Sequence, residues 1–540
     1  MDNLDVVVLG TGLAESITAA ALSKAGYSVA HIDINPYYGG DDASLTADEL
    51  INWADERTSS GDHENSSYLT FQRKQFTSVS RSGTLPPQSR QFSISLAPTL
   101  IPSTGPLIDA LIASGVSRYG GFKLLERVAL FDSSGHVQPV PASKEDVFKN
   151  KQLSLVDKRR LMRLLMFAGG DFEGKPELTG NEDMPFVAFL HDKFSLKDDA
   201  AQAITYALAF CSRPSDPTLP ALTRLRRYLR STGRYGPSPF LVGHYGGAGE
   251  MAQGFCRTAA VGGATYVLGR QVKQLSRAAT TGPSEREYTI ELEDFSEPLR
   301  CNVLVTSSDD MPAAATSDFS TPDVARCIAV INTPIRFRTA ASSAPEEPVT
   351  VSGEEVTPPS PAPDDQVDTA LLVFPPGSIP DGSPDAAVNV LITGEGSMSA
   401  PRGQWILYIT MPLLPGNDDN KSAEELLQPF LDATLSLTAP PSEDAETVRP
   451  SCVLFYKQCS AKTPAEPQDT QTTCIYRSPY SPYLPEIADS AAVNGEDMFW
   501  RAVKALKAAG RLPQGAAGEG SDVDSFWPPL DYVEEDGEEW

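Results

Sequence analysis

The sequence predicts a mixed α/β fold in which an all-helical block is inserted into a strand-rich body. Three observations carry this expectation. Residues 6–9, Val-Val-Val-Leu, are a continuous apolar, largely β-branched run of the kind found in buried parallel strands, and a glycine turn and a helix follow. From residue 126 to 231 the apolar residues change to helical spacing. After that block, short strand-like runs return and continue toward the end of the chain.

Each element has its own local signal. Gly10-Thr11-Gly12 turns the chain into a helix with Ile17, Ala20 and Ala21 on its apolar side. A second strand, Ser28-Val29-Ala30-His31-Ile32, ends at Asp33, completing a βαβ opening. Residues 40–92 read as polar and loop-rich, with Ser59–Ser67 expected to be mobile, and a helix is predicted over about 104–115. Within 126–231, helices are expected at Val156–Phe167, Pro185–Phe194, Leu196–Phe210 and Leu219–Leu229. Strands are expected at Thr265–Leu268, Tyr288–Leu292, Asn302–Thr306, Arg326–Ile331, Ala370–Phe374, Ala387–Ile392, Gln404–Met411 and Cys452–Tyr456. The Pro-, Ser- and acid-rich segment 340–366 buries too little apolar surface to fold and reads as a disordered insertion. A shorter segment of this kind spans Ala461–Thr473, and Val533–Trp540 is an acidic tail. The expected organisation is one body from 1–125 and 232–540, with 126–231 as the helical insertion.

The opening turn resembles a dinucleotide-binding fingerprint in its placement. Gly10 and Gly12 lie between strand and helix, and Asp33 stands where an acid would hold a ribose hydroxyl. Alone, this pattern suggests FAD. The third glycine of the motif, however, is replaced by Glu15. A carboxylate in the first helical turn competes with a pyrophosphate for the positive helix end. The expectation is therefore a vestigial fingerprint, with the fold retained and no cofactor bound.

Composition excludes several function classes. The chain has 540 residues and a formal net charge of −27, which opposes nucleic-acid binding because phosphate recognition needs concentrated Lys and Arg. Seven cysteines, Cys211, Cys256, Cys301, Cys327, Cys452, Cys459 and Cys474, form no zinc spacing, and the five histidines form no metal motif. No metal and no catalytic residue is expected. There is no apolar run of about 20 residues, no signal-peptide pattern and no C-terminal prenylation cysteine. These features predict a cytoplasmic protein that lacks its own lipid anchor.

Several stretches together resemble one family. They are Asp5-Val-Val-Val-Leu-Gly-Thr-Gly-Leu-Ala-Glu-Ser16, His31-Ile-Asp-Ile-Asn-Pro-Tyr-Tyr-Gly-Gly40 and Phe92–Val128. Gly233-Arg-Tyr-Gly-Pro-Ser-Pro-Phe-Leu241 and Tyr245-Gly-Gly-Ala-Gly-Glu-Met-Ala-Gln-Gly-Phe-Cys-Arg257 complete the set. The combination resembles the superfamily of Rab GDP-dissociation inhibitors and Rab escort proteins. That resemblance implies a flavoprotein-like domain I bearing a Rab-binding platform, and a helical domain II that shelters a prenyl chain. It places the platform at Tyr38, Glu250, Gln253 and Arg257, with Thr265 on the strand that follows, and a mobile loop at Arg234 and Phe240. The residues agree with a platform helix, since Glu250, Gln253 and Arg257 fall at i, i+3 and i+7 on one polar face.

Within the superfamily, the length, the acidic insertions and Phe526-Trp-Pro-Pro-Leu530 favour the escort branch over the inhibitor branch. So does Ala14-Glu15-Ser16-Ile17, which runs into alanines. The resemblance then implies as partners GDP-bound Rab GTPases, unprenylated and prenylated, and the Rab geranylgeranyltransferase heterodimer. It also implies a geranylgeranyl lipid, transient membrane contact and no catalysis by the chain itself. Phe210 is one candidate contact for the transferase, against a core role. The reading from a different class is a flavin-dependent oxidoreductase.

Overall fold

In the computed structural model, a five-stranded parallel sheet holds the βαβ opening. Its strands, numbered in chain order, are β1 (Val6–Leu9), β2 (Val29–Asp33), β3 (Thr265–Leu268), β4 (Val303–Thr306) and β5 (Cys474–Tyr476), arranged β3-β2-β1-β4-β5. The described residues are all except 1–3, 59–66, 85–87, 133–134, 141–153, 279–285, 308–323, 338–365, 414–419, 439–447, 460–472, 482, 514–522 and 530–540. Residues 59–66 of the expected mobile segment, 340–365 of the acidic insertion, 461–472 and the acidic tail lie outside them.

Helix α1 (Leu13–Lys24) is buried along almost its whole length. Helix α2 (Ala248–Val261) and helix α3 (Ile487–Ala508) pack on it. Alanine at 19, 20 and 21 lets these neighbours approach closely. Gly495 of α3 serves the same end, because a Cβ there would meet Ile17 Cγ2 at 2.7 Å. Small residues on the facing helices thus let α2 and α3 pack closely on α1.

The second large layer is an eight-stranded sheet. Its strands run in the order Phe76–Gly83, Cys452–Gln458, Val324–Ile331, Trp405–Pro412, Val388–Thr393, Thr369–Phe374, Arg127–Phe131 and Val137–Pro139. Both of its faces are covered, and helix Ala423–Ser436 packs against one of them. Nearly continuous burial along Val324–Ile331 and Trp405–Pro412 explains why these strands read as unbroken apolar runs.

Three sequence expectations change here. Residues 40–92 are not mainly loop: they contain helices at Ala47–Thr58 and Ser67–Gln75 and the edge strand Phe76–Gly83. The block 126–231 opens with two strands, and its first helix among the described residues begins at Leu155. Arg127–Phe131 pairs parallel with Thr369–Phe374, so its Val-Ala-Leu-Phe run is completed by a partner more than 200 residues away. The single helix expected over Leu196–Phe210 is divided into Asp198–Gln202 and a π-helical turn, Ala203–Leu208. Phe210 then takes a left-handed conformation, and its ring packs on Tyr228 and Phe240.

The helices from Leu155 to Ser231 share one apolar core with a face of the eight-stranded sheet. At its centre the rings of Phe167, Phe186 and Phe194 each pack against Phe189, Phe186 stacked and the others tilted. Phe189 is fully buried. Phe189→Ala should lower unfolding free energy by about 3–5 kcal/mol in chemical denaturation, through lost burial and the cavity left behind.

Candidate functional site

The β1–α1 turn is filled by the protein's own acids. Leu13 N donates to Asp42 Oδ2 (3.0 Å), which places a carboxylate on the first turn of α1. Glu15 lies beside it, and its Oε2 would sit 2.7 Å from a Cβ built on Gly12. Asp33 accepts hydrogen bonds from the Thr11 backbone (2.8 Å), the Thr11 hydroxyl and the Asn35 backbone (2.7 Å). Its carboxylate is therefore spent inside the protein instead of facing a ribose.

A dinucleotide does not fit these residues. Its pyrophosphate would need the helix end that Asp42 and Glu15 occupy, and its negative charge would face theirs. The countercharge comes from Arg477, whose Nε donates to Glu15 Oε1 at 2.8 Å. The Arg477 guanidinium also lies 4.2 Å from the centre of the Tyr480 ring. Burial pushes the Glu15 carboxyl upward and nearby Asp42 adds to this, while Arg477 opposes it.

Beyond this turn, α2 presents two chemically distinct sides. Met251, Ala252, Phe255 and Cys256 are buried, whereas Glu250 is half-buried and Gln253 and Arg257 are exposed. Trp527 stacks on Phe255 from behind (centroids 6.0 Å apart, 24° between planes), and Phe526 packs on Phe499 of α3. The Arg257 guanidinium sits 4.6 Å over the Tyr119 ring, and Tyr119 is itself exposed. Burial raises the Glu250 carboxyl above its ordinary range.

Tyr38 lies half-buried just after β2 and packs edge-on against Tyr266 at 5.8 Å. Tyr266 also approaches His31, which is fully buried: Nδ1 is 3.2 Å from the Tyr266 hydroxyl and Nε2 bonds the Gly10 carbonyl. A carbonyl only accepts, so Nε2 carries the proton and Nδ1 accepts from Tyr266. This chain links the turn at Gly10 to Tyr38. Thr265 is half-buried on β3 next to Tyr266, in parallel register with Ala30 of β2. Glu250, Gln253 and Arg257 thus sit on α2, Tyr38 in the loop after β2, and Thr265 at the start of β3.

The two mobile-loop candidates separate. Arg234 is exposed, with its guanidinium 5.4 Å from the Tyr235 ring centre. Phe240 is fully buried in a strand that pairs with Pro102 and Ile101, and it packs on Phe210 and Tyr228. Its place in a mobile loop is therefore corrected to a core position. Phe210 is likewise buried, which removes it as a surface contact for a transferase. Sequence reasoning missed Asp42, Arg477, Tyr480, His31, Tyr119 and Tyr266. His31 and Tyr119 lay within the stretches that carry the family resemblance, whereas Arg477 has no local signal because its partner is 462 positions away.

Among the described residues no His/Cys/Asp/Glu cluster can hold a metal, and no helix is long and apolar enough to cross a membrane. Six cysteines are buried, and burial pushes the Cys256 thiol up to about 11, far from a reactive thiolate.

A family model described as GDP dissociation inhibitor matches residues 1–345. The chain belongs to the GDP dissociation inhibitor family. Among relatives in this family, a Saccharomyces cerevisiae protein named Rab proteins geranylgeranyltransferase component A is 30% identical over 76% of this chain and 61% of its own. A Candida albicans protein of the same name is 38% identical over 50% of this chain and 41% of its own. The chain thus spans less than two thirds of either fungal relative. Rab escort protein 1 of Arabidopsis thaliana is 28% identical, over 83% of this chain and 82% of its own. The structure of a Rab GDI from Plasmodium falciparum superposes with a TM-score of 0.61 at 18% identity, covering 95% of this chain and 99% of that one. An oxidoreductase from Methanosarcina mazei superposes at 0.54 with 14% identity, covering 93% and 100%. The family fold is flavoprotein-like, and here its nucleotide turn is closed by internal acids.

Two outcomes follow from these contacts. Glu15→Gln should lower stability by about 3 kcal/mol in chemical denaturation, because it removes the buried charge that Arg477 Nε donates to. Burial, opposed by the Gly10 carbonyl, pushes His31 down to about 4 from 6.5, so the folded chain resists a proton that the unfolded chain accepts. The stability it contributes is complete above pH 6.5 and is lost as pH falls toward 4. Urea titrations should show the native chain's advantage over His31→Gln shrinking across that window, by about 3 kcal/mol.

Proposed function

We propose that this chain is a Rab escort protein, the non-catalytic component that presents Rab GTPases to a geranylgeranyltransferase. One observation carries the reading most directly. The turn that serves a cofactor in flavoprotein-like folds is sealed by Glu15, Asp42 and Arg477, while the neighbouring α2 face is left polar and exposed. A sealed cofactor turn beside an open polar face suits a protein that binds another protein. The names of the fungal and plant relatives support the escort branch of the family.

In this reading Tyr38, Glu250, Gln253 and Arg257 form the platform for a GDP-bound Rab, with Thr265 at its border. A face combining acid, amide and guanidinium makes charge-assisted hydrogen bonds that fix the partner's orientation. The stack on Tyr119 holds Arg257 ready for a partner, which lowers the entropy lost on binding. The body formed by 1–125 and 232–540 carries the platform. The block 126–231 supplies the side facing the lipid and the transferase, and Arg234 belongs to an exposed loop between the two. Burial is worth about 0.8 kcal/mol per CH₂, so a chain of about twenty carbons needs shelter from water before it reaches a membrane. The carrier remains outside the bilayer and touches it only transiently on delivery.

The test is transfer of a geranylgeranyl group to a Rab by purified transferase, with and without this chain. Transfer that depends on the chain supports the escort reading. Unchanged transfer, combined with extraction of prenylated Rab from membranes, identifies a GDP-dissociation inhibitor instead. Arg257→Ala should reduce the chain's affinity for a folded Rab by at most a few kcal/mol while leaving its unfolding midpoint intact, and a titration checks this.

A further inference from the structure

Residues 523–529, the last described stretch of the chain, form no helix or strand and lie across α2 and α3. Val523, Phe526 and Trp527 are half-buried there against the core that α1, α2 and α3 share. Rings make the hold. Phe526 packs on Phe499 of α3 (centroids 5.1 Å apart), and Trp527 stacks on Phe255 of α2 (6.0 Å). The two rings of the stretch also touch each other (4.7 Å), and Trp500 continues the row beyond Phe499 (4.9 Å). Five aromatic side chains thus run from α3 to α2 through the stretch between them.

Polar groups add nothing to this hold. Among the described residues, 523–529 form no hydrogen bond or ion pair with the rest of the protein. The one bond present is local, from Ser525 Oγ to the Trp527 carbonyl (3.1 Å). Pro528 and Pro529 have no N–H to donate. Trp527 Nε1 is buried without a partner, a cost that lifting the ring into water would relieve.

The start of α3, by contrast, is fixed by directional contacts. Asp489 Oδ1 accepts from Leu107 N (3.1 Å), and Asp489 Oδ2 accepts from Arg227 (3.1 Å). Apolar packing has no such directionality, and a segment held by it alone opens locally before the body unfolds.

We propose that residues 523–529 are a detachable strap that stiffens α2 against α3. Seated, its rings fix the two helices to each other. Lifted, it satisfies the Trp527 N–H in water and frees α2 to move while the remainder of the fold persists. The device goes beyond the carrier reading and does not depend on it. Because α2 also carries the exposed Gln253 and Arg257, the strap governs the stiffness of that polar face from its buried side.

The test is amide hydrogen exchange, resolved by peptide, on the full chain and two variants. Phe526→Ala with Trp527→Ala removes both rings of the strap. Exchange across α2 and α3 should then rise about tenfold, while the eight-stranded sheet and the helices from Leu155 to Ser231 keep the rates of the unaltered chain. Trp527→Phe keeps a ring in the stack without the unpaired N–H, and should hold α2 exchange at or below that of the unaltered chain. Unchanged exchange in α2 for the alanine pair overturns the strap, because the helices would then be fixed without it. A rise of equal size throughout the protein, or failure of the alanine pair to fold, overturns it as well, by making the stretch part of the global core. Exchange in Trp527→Phe as fast as in the alanine pair removes the ring stack as the hold and overturns the proposal.

Discussion

Arg477 buried against Glu15 at the start of α1 is the interaction on which the arrangement depends. A helix beginning immediately after a strand presents unsatisfied N–H groups and a positive end, and something negative must meet them. In nucleotide-binding relatives of this fold a phosphate does so. Here Asp42 caps the turn, Glu15 adds a second carboxylate, and Arg477 arrives from the far end of the chain to balance them. The same contact ties residues near the start of the chain to the segment that leads into α3, which packs on α1. The first and last large elements of the body are therefore held together without a ligand.

That closure sets the stiffness of the surface next to it. Helix α2 lies on α1, and its underside is fixed by Met251 and Phe255, with Trp527 stacked behind. Its outer face is spared from packing and keeps polar groups in an orientation determined by the buried side. The His31–Tyr266–Tyr38 chain does the same for the end of β2, passing position from a buried histidine to a half-buried tyrosine by contact. A surface made this way is pre-organised, so contact with a folded partner would cost little ordering. The helical block is held in turn by sharing its core with the eight-stranded sheet, which limits its freedom to rock against the body.

The parts of the fold that were legible in the sequence were those whose signal is local. The βαβ opening, the return of strands after residue 265 and the polar spacing on α2 all follow from nearest-neighbour periodicity. What was not legible depended on distant partners. The strand at Arg127–Phe131 was assigned to a helical block because its pairing partner lies at Thr369–Phe374. Phe76–Gly83 read as loop because an edge strand, exposed over much of its length, lacks a continuous apolar run. Phe240 followed a loop motif by position, yet its ring turned into the core to meet Phe210 and Tyr228.

The sequence by itself determined the fold class, the loss of the third fingerprint glycine and the residues of the exposed helix face. Each of these is written within a few consecutive positions, where propensity and spacing act. Only the tertiary structure decided what became of the acid at position 15. A buried carboxylate needs a cation, and Arg477 is set 462 positions away from it. It also decided which aromatics face water, because burial depends on what the completed sheets and helices cover. Phe240 and Tyr245 are five positions apart, yet Tyr245 is left at the surface and Phe240 is sealed in the core.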